Sequence, residues 1–189
     1  RRFWLQKKQN INQQINENIH LKFLKKIPLE WSNYNAAICE PINVNNPKTM
    51  KLLKKGWRNI LEDPSIIYNK KKQTIKLHFD MFHGYGKLDK AIDVMHEKDK
   101  SEFRDFVNNS TNFNPHIMFI AKPEILNKWF FDVFSWLENC ENVFGFENLK
   151  GYKTKRLYAY LSERYLSFWF KKYSKSIEWP YIFIDSEKI

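Results

Sequence analysis

The chain has 189 residues, of which 43% are hydrophobic and 17% aromatic. This length suffices for one domain with a substantial core, and the aromatic share argues against a disordered chain, because disordered chains contain few aromatic residues. The chain contains 32 Lys and Arg residues but 21 Asp and Glu residues, and the resulting formal net charge of +11 predicts an anionic partner such as a nucleotide, a phospholipid surface or a nucleic acid.

Cysteine usage predicts a cytoplasmic protein with reduced thiols. Cys39 and Cys140 lie far apart without metal-type spacing, and two cysteines cannot build a disulfide framework. No apolar stretch is long enough to span a bilayer, and we expect no signal peptide. The first residue is Arg1 rather than Met, so we expect the chain to be either processed or a piece of a longer protein.

In chain order, the first predicted element is a weak helix or a long loop over residues 5–20, where three isoleucines are spaced four apart. The apolar run over residues 36–39 predicts a buried strand that Pro41 ends. A helix over 47–62 follows, with lysines on one face. Its predicted inner face consists of Met50, Leu53, Trp57, Ile60 and Leu61.

The middle of the chain combines an extended segment, a glycine turn and short helices. Alternation of apolar and polar residues over 75–79 predicts a strand. The turn at residues 83–86 precedes a predicted helix over about 87–96. Ser101 is the expected N-cap of a second short helix.

The last third contains the strongest signals. Residues 117–121 form the clearest predicted strand, and Pro123 opens a helix with a wide apolar face. An aromatic helix over about 155–172 and a strand over 181–184 complete the pattern. The sum is a single α/β or α+β domain with more helix than strand.

Common catalytic signatures are absent from the sequence. It has no phosphate-binding loop ending in Gly-Lys-Ser/Thr and no Gly-x-Ser-x-Gly nucleophile elbow. Gly84 and Gly86 lack the third glycine of a dinucleotide fingerprint, and the Cys and His spacing does not suit zinc. The candidate residues must therefore come from scattered polar positions.

Asp80, His83 and Asp89 surround the glycine turn, where backbone N–H groups can face an anion and a His or Asp can exchange protons. The alternative is capping and turn chemistry. Asn114 and His116 precede the strand at 117–121, a common position for ligand contacts, although Asn-Pro is also an ordinary turn dipeptide.

Two further sets of charges stand beside aromatic residues. Glu163 and Arg164 lie within the predicted aromatic helix. Because they are adjacent, we expect their side chains on different faces of the helix. The alternative to a functional role is a structural ion pair with another element. Arg1 and Arg2 precede Phe3 and Trp4, and guanidinium groups bind phosphate and stack on rings. A terminal basic tag is the alternative there.

Taken in order, these segments resemble one known family. Arg-Arg-Phe-Trp at residues 1–4 is similar to the second half of a His-Tyr-Arg-Arg-Tyr-Phe motif, and His83 with Leu-Asp at residues 88–89 is similar to a His followed by Asp-Leu at a helix start. Residues 114–120 resemble an Asn-x-Met-Phe-Ile strand, and residues 162–166 a Glu-Arg-Leu element. The family is a domain of unknown function of bacterial capsule and exopolysaccharide loci, regarded as glycosyltransferases that include galactofuranosyltransferases.

The resemblance implies a helix-rich α/β protein with a GT-A-like nucleotide-diphosphosugar transferase fold. It covers nearly the whole chain, so residues 1–189 are expected to form a single domain. The His-Tyr half of the first motif and the family's upstream region, which resembles the first half of a nucleotide-diphosphosugar-binding fold, are not part of these residues. We therefore expect the C-terminal, acceptor-side portion of a longer chain, lacking the N-terminal part of the fold.

The resemblance further implies transfer of a sugar from a nucleotide-diphosphosugar, expected to be a UDP-sugar, to a hydroxyl of a capsular or exopolysaccharide glycan. Such transfer needs a base for the acceptor proton and positive groups for the leaving diphosphate. The expected roles are the catalytic base for Glu163, His83 and Asp89, diphosphate binding for Arg1, Arg2 and Arg164, and acceptor binding for Asp80, Asn114 and His116.

No metal ligand is assigned, because the chain has no Asp-x-Asp pair to hold a metal on a sugar nucleotide; dependence on a divalent metal stays open. The expected partner is a glycan or lipid-linked glycan acceptor. Contact of the basic helix over 47–62 with the anionic inner face of the cell membrane stays open, because a solvated face explains its lysines as well. Two alternatives remain. One is a non-catalytic assembly domain of a capsule-synthesis complex, and the other is a basic nucleic-acid-binding module, for which no recognised motif is present.

Overall fold

The computed structural model describes residues 1–6, 19–147 and 149–184. The helix or loop predicted over residues 5–20 falls largely on residues 7–18, outside the described residues.

The strands of the described residues form three small sheets. In chain order they are β1 (Arg2–Trp4), β2 (Ala36–Cys39), β3 (Ile42–Asn43), β4 (Asn112–Phe113), β5 (Phe119–Ala121), β6 (Ser176–Trp179) and β7 (Tyr181–Phe183). The largest sheet has the order β5-β2-β6, with β2 antiparallel to β5 and parallel to β6. β1 pairs antiparallel with β7, and β3 pairs antiparallel with β4. The predicted strand at 36–39 is therefore confirmed, and those at 117–121 and 181–184 are confirmed over β5 and β7.

Helices make up most of the described chain. They are α1 (Thr49–Lys55), α2 (Trp57–Glu62), α3 (Ile75–His83), α4 (Lys87–Asp93), α5 (Glu97–Asn109), α6 (Pro123–Phe144), α7 (Tyr152–Lys155) and α8 (Leu157–Tyr173), with 3₁₀ turns at Ile19–Lys22, Leu29–Asn33, Pro64–Ile67 and Lys70–Lys72. Across the described residues, none of the helices combines the length and apolar character needed to cross a membrane. The helix-rich composition with mixed sheets confirms the α/β class.

The main core forms where α5, α6 and α8 meet. Its tryptophans Trp129, Trp136 and Trp169 are each at most 1% exposed. The Trp169 indole donates a hydrogen bond to Asp132 at 2.8 Å, and the Trp136 indole donates one to the Ala91 carbonyl at 2.7 Å. Large aromatic side chains can be buried in this way because their N–H groups remain hydrogen-bonded.

The strand predicted over 75–79 is wrong, because these residues begin α3. Ile75 and Phe79 pack into the main core, whereas Leu77 and Met81 pack into a second, smaller cluster. Each pair is spaced four residues apart, as one face of a helix requires. Two buried helical stripes therefore interleave and reproduce the alternation that is typical of a strand.

The predicted cap at Ser101 is also wrong, since α5 begins at Glu97 and Ser101 lies inside it. Glu97 and Asp99 occupy the first turn. Acidic side chains there are stabilised by the partial positive charge of a helix N-terminus, and this signal marks the true start.

The helix predicted over 47–62 exists as two pieces, α1 and α2, but its predicted inner face is wrong. The pair instead buries Leu52, Gly56 and Asn59. Gly56 is required at this contact, because an added Cβ would lie 2.9 Å from the Leu52 carbonyl oxygen. Of the five predicted core residues, Ile60 is half-buried, and Met50, Leu53, Trp57 and Leu61 are exposed.

Both cysteines are buried free thiols, which confirms their prediction as reduced core residues. Burial raises the pKa of each thiol to about 12, so neither is a thiolate near neutral pH.

Candidate active site

A cleft of about 510 Å³ opens beside the start of α8. One wall consists of Arg156, which directly precedes α8, and of Ala159, Tyr160 and Glu163 of α8. These positions follow the i, i+3, i+4, i+7 spacing that places side chains on one side of a helix. The opposite wall is the segment from His116 to Met118, and Arg2 of β1 completes the lining.

Glu163 and Arg164 contact each other, contrary to the expectation that adjacent helix residues diverge. The Arg164 Nη1 lies 2.5 Å from Glu163 Oε2. The Arg164 side chain is 1% exposed, and its Cζ lies 3.7 Å from the centroid of the Phe113 ring. The guanidinium is long enough to fold back beside its neighbour, so Arg164 lies behind the cleft wall rather than in the cleft.

The other carboxylate oxygen of Glu163 holds His116. Oε1 accepts the backbone N–H of His116 at 2.5 Å and lies 3.5 Å from the His116 Nδ1. Burial raises the pKa of Glu163, but the His116 hydrogen bonds and the Arg164 charge outweigh burial and lower the pKa to about 2. Glu163 is therefore an ionised hydrogen-bond acceptor at neutral pH and a weak base.

His116 has an uncommon backbone conformation. Its φ is 69°, the one positive φ outside glycine among the described residues. Left-handed backbone costs free energy for a residue with a Cβ, and such residues persist where their surroundings hold them. Here the surroundings are the Glu163 carboxylate and the Tyr181 ring, whose centroid is 5.3 Å from the imidazole.

Behind the cleft lie two further histidines. His83 stacks on Tyr160 with ring centroids 3.7 Å apart, so it supports a residue of the cleft wall. The Nδ1 of His78 lies 3.3 Å from the Arg164 Nη2. Burial, followed by the Arg164 charge, lowers the pKa of His78 to about 3, so its imidazole is neutral and can accept this hydrogen bond.

Asp80 and Asp89 are not among the cleft-lining residues. Asp80 is buried and accepts hydrogen bonds from Asn59, Lys76 and the backbone N–H of Gly86, at 2.8, 3.1 and 3.0 Å. It therefore stabilises the glycine turn, and the Gly86 N–H that was expected to face an anion is already bonded. Asp89 pairs with Lys76 at 2.9 Å.

Asn114 is fully buried and also lies outside the cleft lining. Its amide donates to the Cys39 carbonyl at 2.7 Å and to Glu178 at 2.9 Å, and its Oδ1 accepts from Ser167 at 3.0 Å. The residue thus ties the central sheet to α8. It positions the loop that carries His116 two residues later.

The match to known proteins concerns almost the whole chain. Residues 1–175 match the family described as "Domain of unknown function (DUF4422)". The chain belongs to this family. Neither the curated proteins nor the solved structures contain a match to the chain. All cleft residues, from Arg2 to Glu163, fall within the part that matches DUF4422.

Within this DUF4422 domain, the structure brings Arg2, His116 and Glu163 of the predicted site together in the cleft. Arg1 is exposed, and its backbone amino group contacts the Ile184 carbonyl. The sequence analysis missed Arg156, whose signal was its spacing of seven residues, or two helical turns, before Glu163. Among the described residues, no group of three or more His, Cys, Asp or Glu is arranged to hold a metal ion.

Proposed function

We propose that the chain is a glycosyltransferase that moves a sugar from a nucleotide-diphosphosugar to a hydroxyl of a capsular or exopolysaccharide glycan. The observation that carries the proposal is that Arg2 and Arg156 share one cleft with the Glu163–His116 pair. Arg2 and Arg156 supply positive charge for a diphosphate, and the Glu163–His116 pair supplies a route for a proton. The family resemblance supports the same reaction and a GT-A-like fold.

The proposed reaction forms one bond and breaks one bond at the anomeric carbon. The acceptor oxygen attacks this carbon, the bond to the diphosphate oxygen breaks with its electron pair, and the acceptor proton moves to a base. Negative charge then develops on the leaving nucleoside diphosphate. Guanidinium groups match phosphate oxygens in geometry and charge, which makes Arg2 and Arg156 the residues suited to that charge.

His116 is better suited than Glu163 to be the base. With its pKa about 2, Glu163 has little affinity for a proton at neutral pH, whereas a neutral imidazole has one ring nitrogen that accepts a proton. Glu163 lies beside Nδ1 and is suited to keeping the proton on that nitrogen, which leaves Nε2 to accept the proton from the sugar hydroxyl. Glu163 is then a positioning residue, and His83 has a similar supporting role behind Tyr160.

Calorimetric titration of the protein with UDP tests whether this cleft binds the diphosphate. Replacing Arg156 with Gln removes one charged contact and is expected to weaken binding by about 10- to 100-fold. Lys155→Gln is the matched control, because Lys155 is the neighbouring exposed cation and does not line the cleft. Equal affinities in the two variants would place the diphosphate elsewhere.

A further inference from the structure

Apolar and basic side chains share the surface that α1, α2 and the two following 3₁₀ turns form. We define the basic apolar face as the exposed side chains of residues 48–72. Its apolar members include Met50, Leu53, Trp57 and Leu61, which are 64%, 42%, 51% and 73% exposed. Met50 and Leu53 lie three residues apart on α1, and Trp57 and Leu61 lie four apart on α2, so each pair shares one helix face; the two pairs together are the exposed stripe.

The same segment carries a large part of the positive charge. Residues 48–72 contain eight Lys and Arg and two Asp and Glu, a net charge of +6 out of the chain's +11. Lys54, Lys70 and Lys71 are exposed. Lys72 is paired with Asp63 at 2.6 Å, and all eight basic residues of this segment are exposed, so the excess charge faces outward.

The exposed stripe is not the side on which these helices pack. Leu52 is 1% exposed and packs with Leu77 and Met81 of α3, so the helices already have a buried side. The stripe that includes Trp57 and Leu61 lies on another side, with lysines around it. A contiguous exposed apolar patch bordered by charge is typical of an interaction surface.

We infer that the basic apolar face docks on an anionic phospholipid bilayer. Helices that lie in a membrane interface insert Trp, Leu and Met side chains into the headgroup region while their lysines contact anionic lipids, and Tyr and Trp are enriched at that depth. Tyr68, 78% exposed, is a second such ring among residues 48–72. Exposed aliphatic side chains such as Leu61 have no counterpart on a nucleic-acid backbone, so a bilayer is the better match than a nucleic acid.

The basic apolar face lies close to the cleft through α3. Lys51 and Lys55 lie 4.5 Å above the ring of Phe82, and the next residue, His83, stacks on Tyr160 of the cleft wall. Phe82 and His83 of α3 therefore join the docked part of the domain to the cleft wall. If the proposed sugar transfer is correct, this placement favours a lipid-linked acceptor, but docking itself does not depend on that activity.

Cosedimentation with vesicles tests the inference. The protein is mixed with phosphatidylcholine vesicles and with phosphatidylcholine vesicles that contain about 30% phosphatidylglycerol. Binding is expected on the anionic vesicles and to fall as salt is raised. Each lysine near an anionic surface contributes about fivefold to partitioning, so Lys54→Gln/Lys70→Gln/Lys71→Gln should weaken binding by on the order of a hundredfold.

Matched variants separate docking from general charge and from loss of fold. The triple control Lys25→Gln/Lys26→Gln/Lys90→Gln removes equal charge from exposed lysines outside residues 48–72 and should bind nearly as the parent does. Trp57→Ser/Leu61→Ser tests the apolar stripe against Phe131→Ser/Leu29→Ser, which alters two exposed side chains elsewhere. Thermal unfolding confirms that each variant is folded.

The outcomes distinguish the inference from its alternatives. Loss of vesicle binding in both variants of the basic apolar face, but in neither control, supports docking. Equal loss in face and control variants, no binding to anionic vesicles, or binding to duplex DNA with none to vesicles overturns it. Because the assay needs no sugar donor, its result is independent of the UDP titration that tests the proposed function.

Discussion

Replacing Glu163 with Gln should destabilise the fold through Arg164. The guanidinium is 1% exposed, its Nη1 lies 2.5 Å from the Glu163 carboxylate, and its Nε has no hydrogen-bond partner among the described residues. Removing one partner of a buried ion pair typically costs about 3–5 kcal/mol, because the other charge stays buried. The amide oxygen of Gln can still accept a hydrogen bond and the Phe113 ring remains in place, so we expect the lower end, about 3 kcal/mol.

Urea unfolding followed by tryptophan fluorescence measures this effect. For a chain of this size, a loss of about 3 kcal/mol corresponds to a Tm lower by roughly 6–12 °C. Glu97→Gln is the control, because Glu97 is 86% exposed and its pair with Lys100 is expected to contribute less than about 0.5 kcal/mol.

A double-mutant cycle identifies the cause. Arg164→Met removes the buried charge and keeps an unbranched apolar chain beside Phe113. If Glu163 matters because it neutralises Arg164, Glu163→Gln should cost little in the Arg164→Met background, with a coupling of about 2–3 kcal/mol. Additive losses, or a Glu163→Gln variant as stable as Glu97→Gln, would show that Glu163 does not act by neutralising Arg164.

Three further predictions concern titration, the glycine turn and the thiols. The pKa of His78 is lowered to about 3, so below pH 6.5 the unfolded chain binds a proton at this residue that the folded chain does not. The free energy of unfolding, measured by urea titration, should therefore fall by about 2 kcal/mol from pH 7 to pH 5. His78→Gln should reduce this dependence on pH. Asp80→Asn should lower the Tm, because the Gly86 N–H and Lys76 lose their carboxylate, yet leave UDP affinity unchanged; weaker binding by the folded variant would contradict this. Cys39 and Cys140 should react with a thiol reagent only after denaturation, and rapid labelling of the native protein would show otherwise.

Local signals in the sequence predicted most helices and strands. The predictions failed where tertiary packing decides the type of an element or which of its faces is buried. Pro123 opens α6 as expected, and the apolar run at 36–39 is the central strand. The interpretation of 75–79 failed because α3 packs on two separate clusters, which no local pattern reveals. The amphipathic pattern over 47–62 predicted helices correctly, but their most apolar stripe is exposed and Leu52 is buried instead.

The candidate site was predictable only in part. Two charges inside an aromatic helix made Glu163 and Arg164 candidates, but the sequence did not predict that they contact each other. The contact forms because an arginine side chain is long enough to fold back along the helix. Arg156 resembled an ordinary exposed residue near a helix start, and only its shared face with Glu163 links it to the cleft. The left-handed backbone of His116 depends on the distant Glu163 carboxylate, so the local sequence does not reveal it.

Turnover by the natural full-length protein tests the proposed sugar transfer itself. It is incubated with nucleotide-diphosphosugars and a lipid-linked glycan acceptor, and release of the nucleoside diphosphate is followed for the parent, for His116→Gln and for Lys155→Gln. We expect turnover of at least one donor, a rate lower by about 10²–10⁴-fold in folded His116→Gln, and a nearly unchanged rate in Lys155→Gln. No release with any donor, or an unchanged rate in folded His116→Gln, would contradict it.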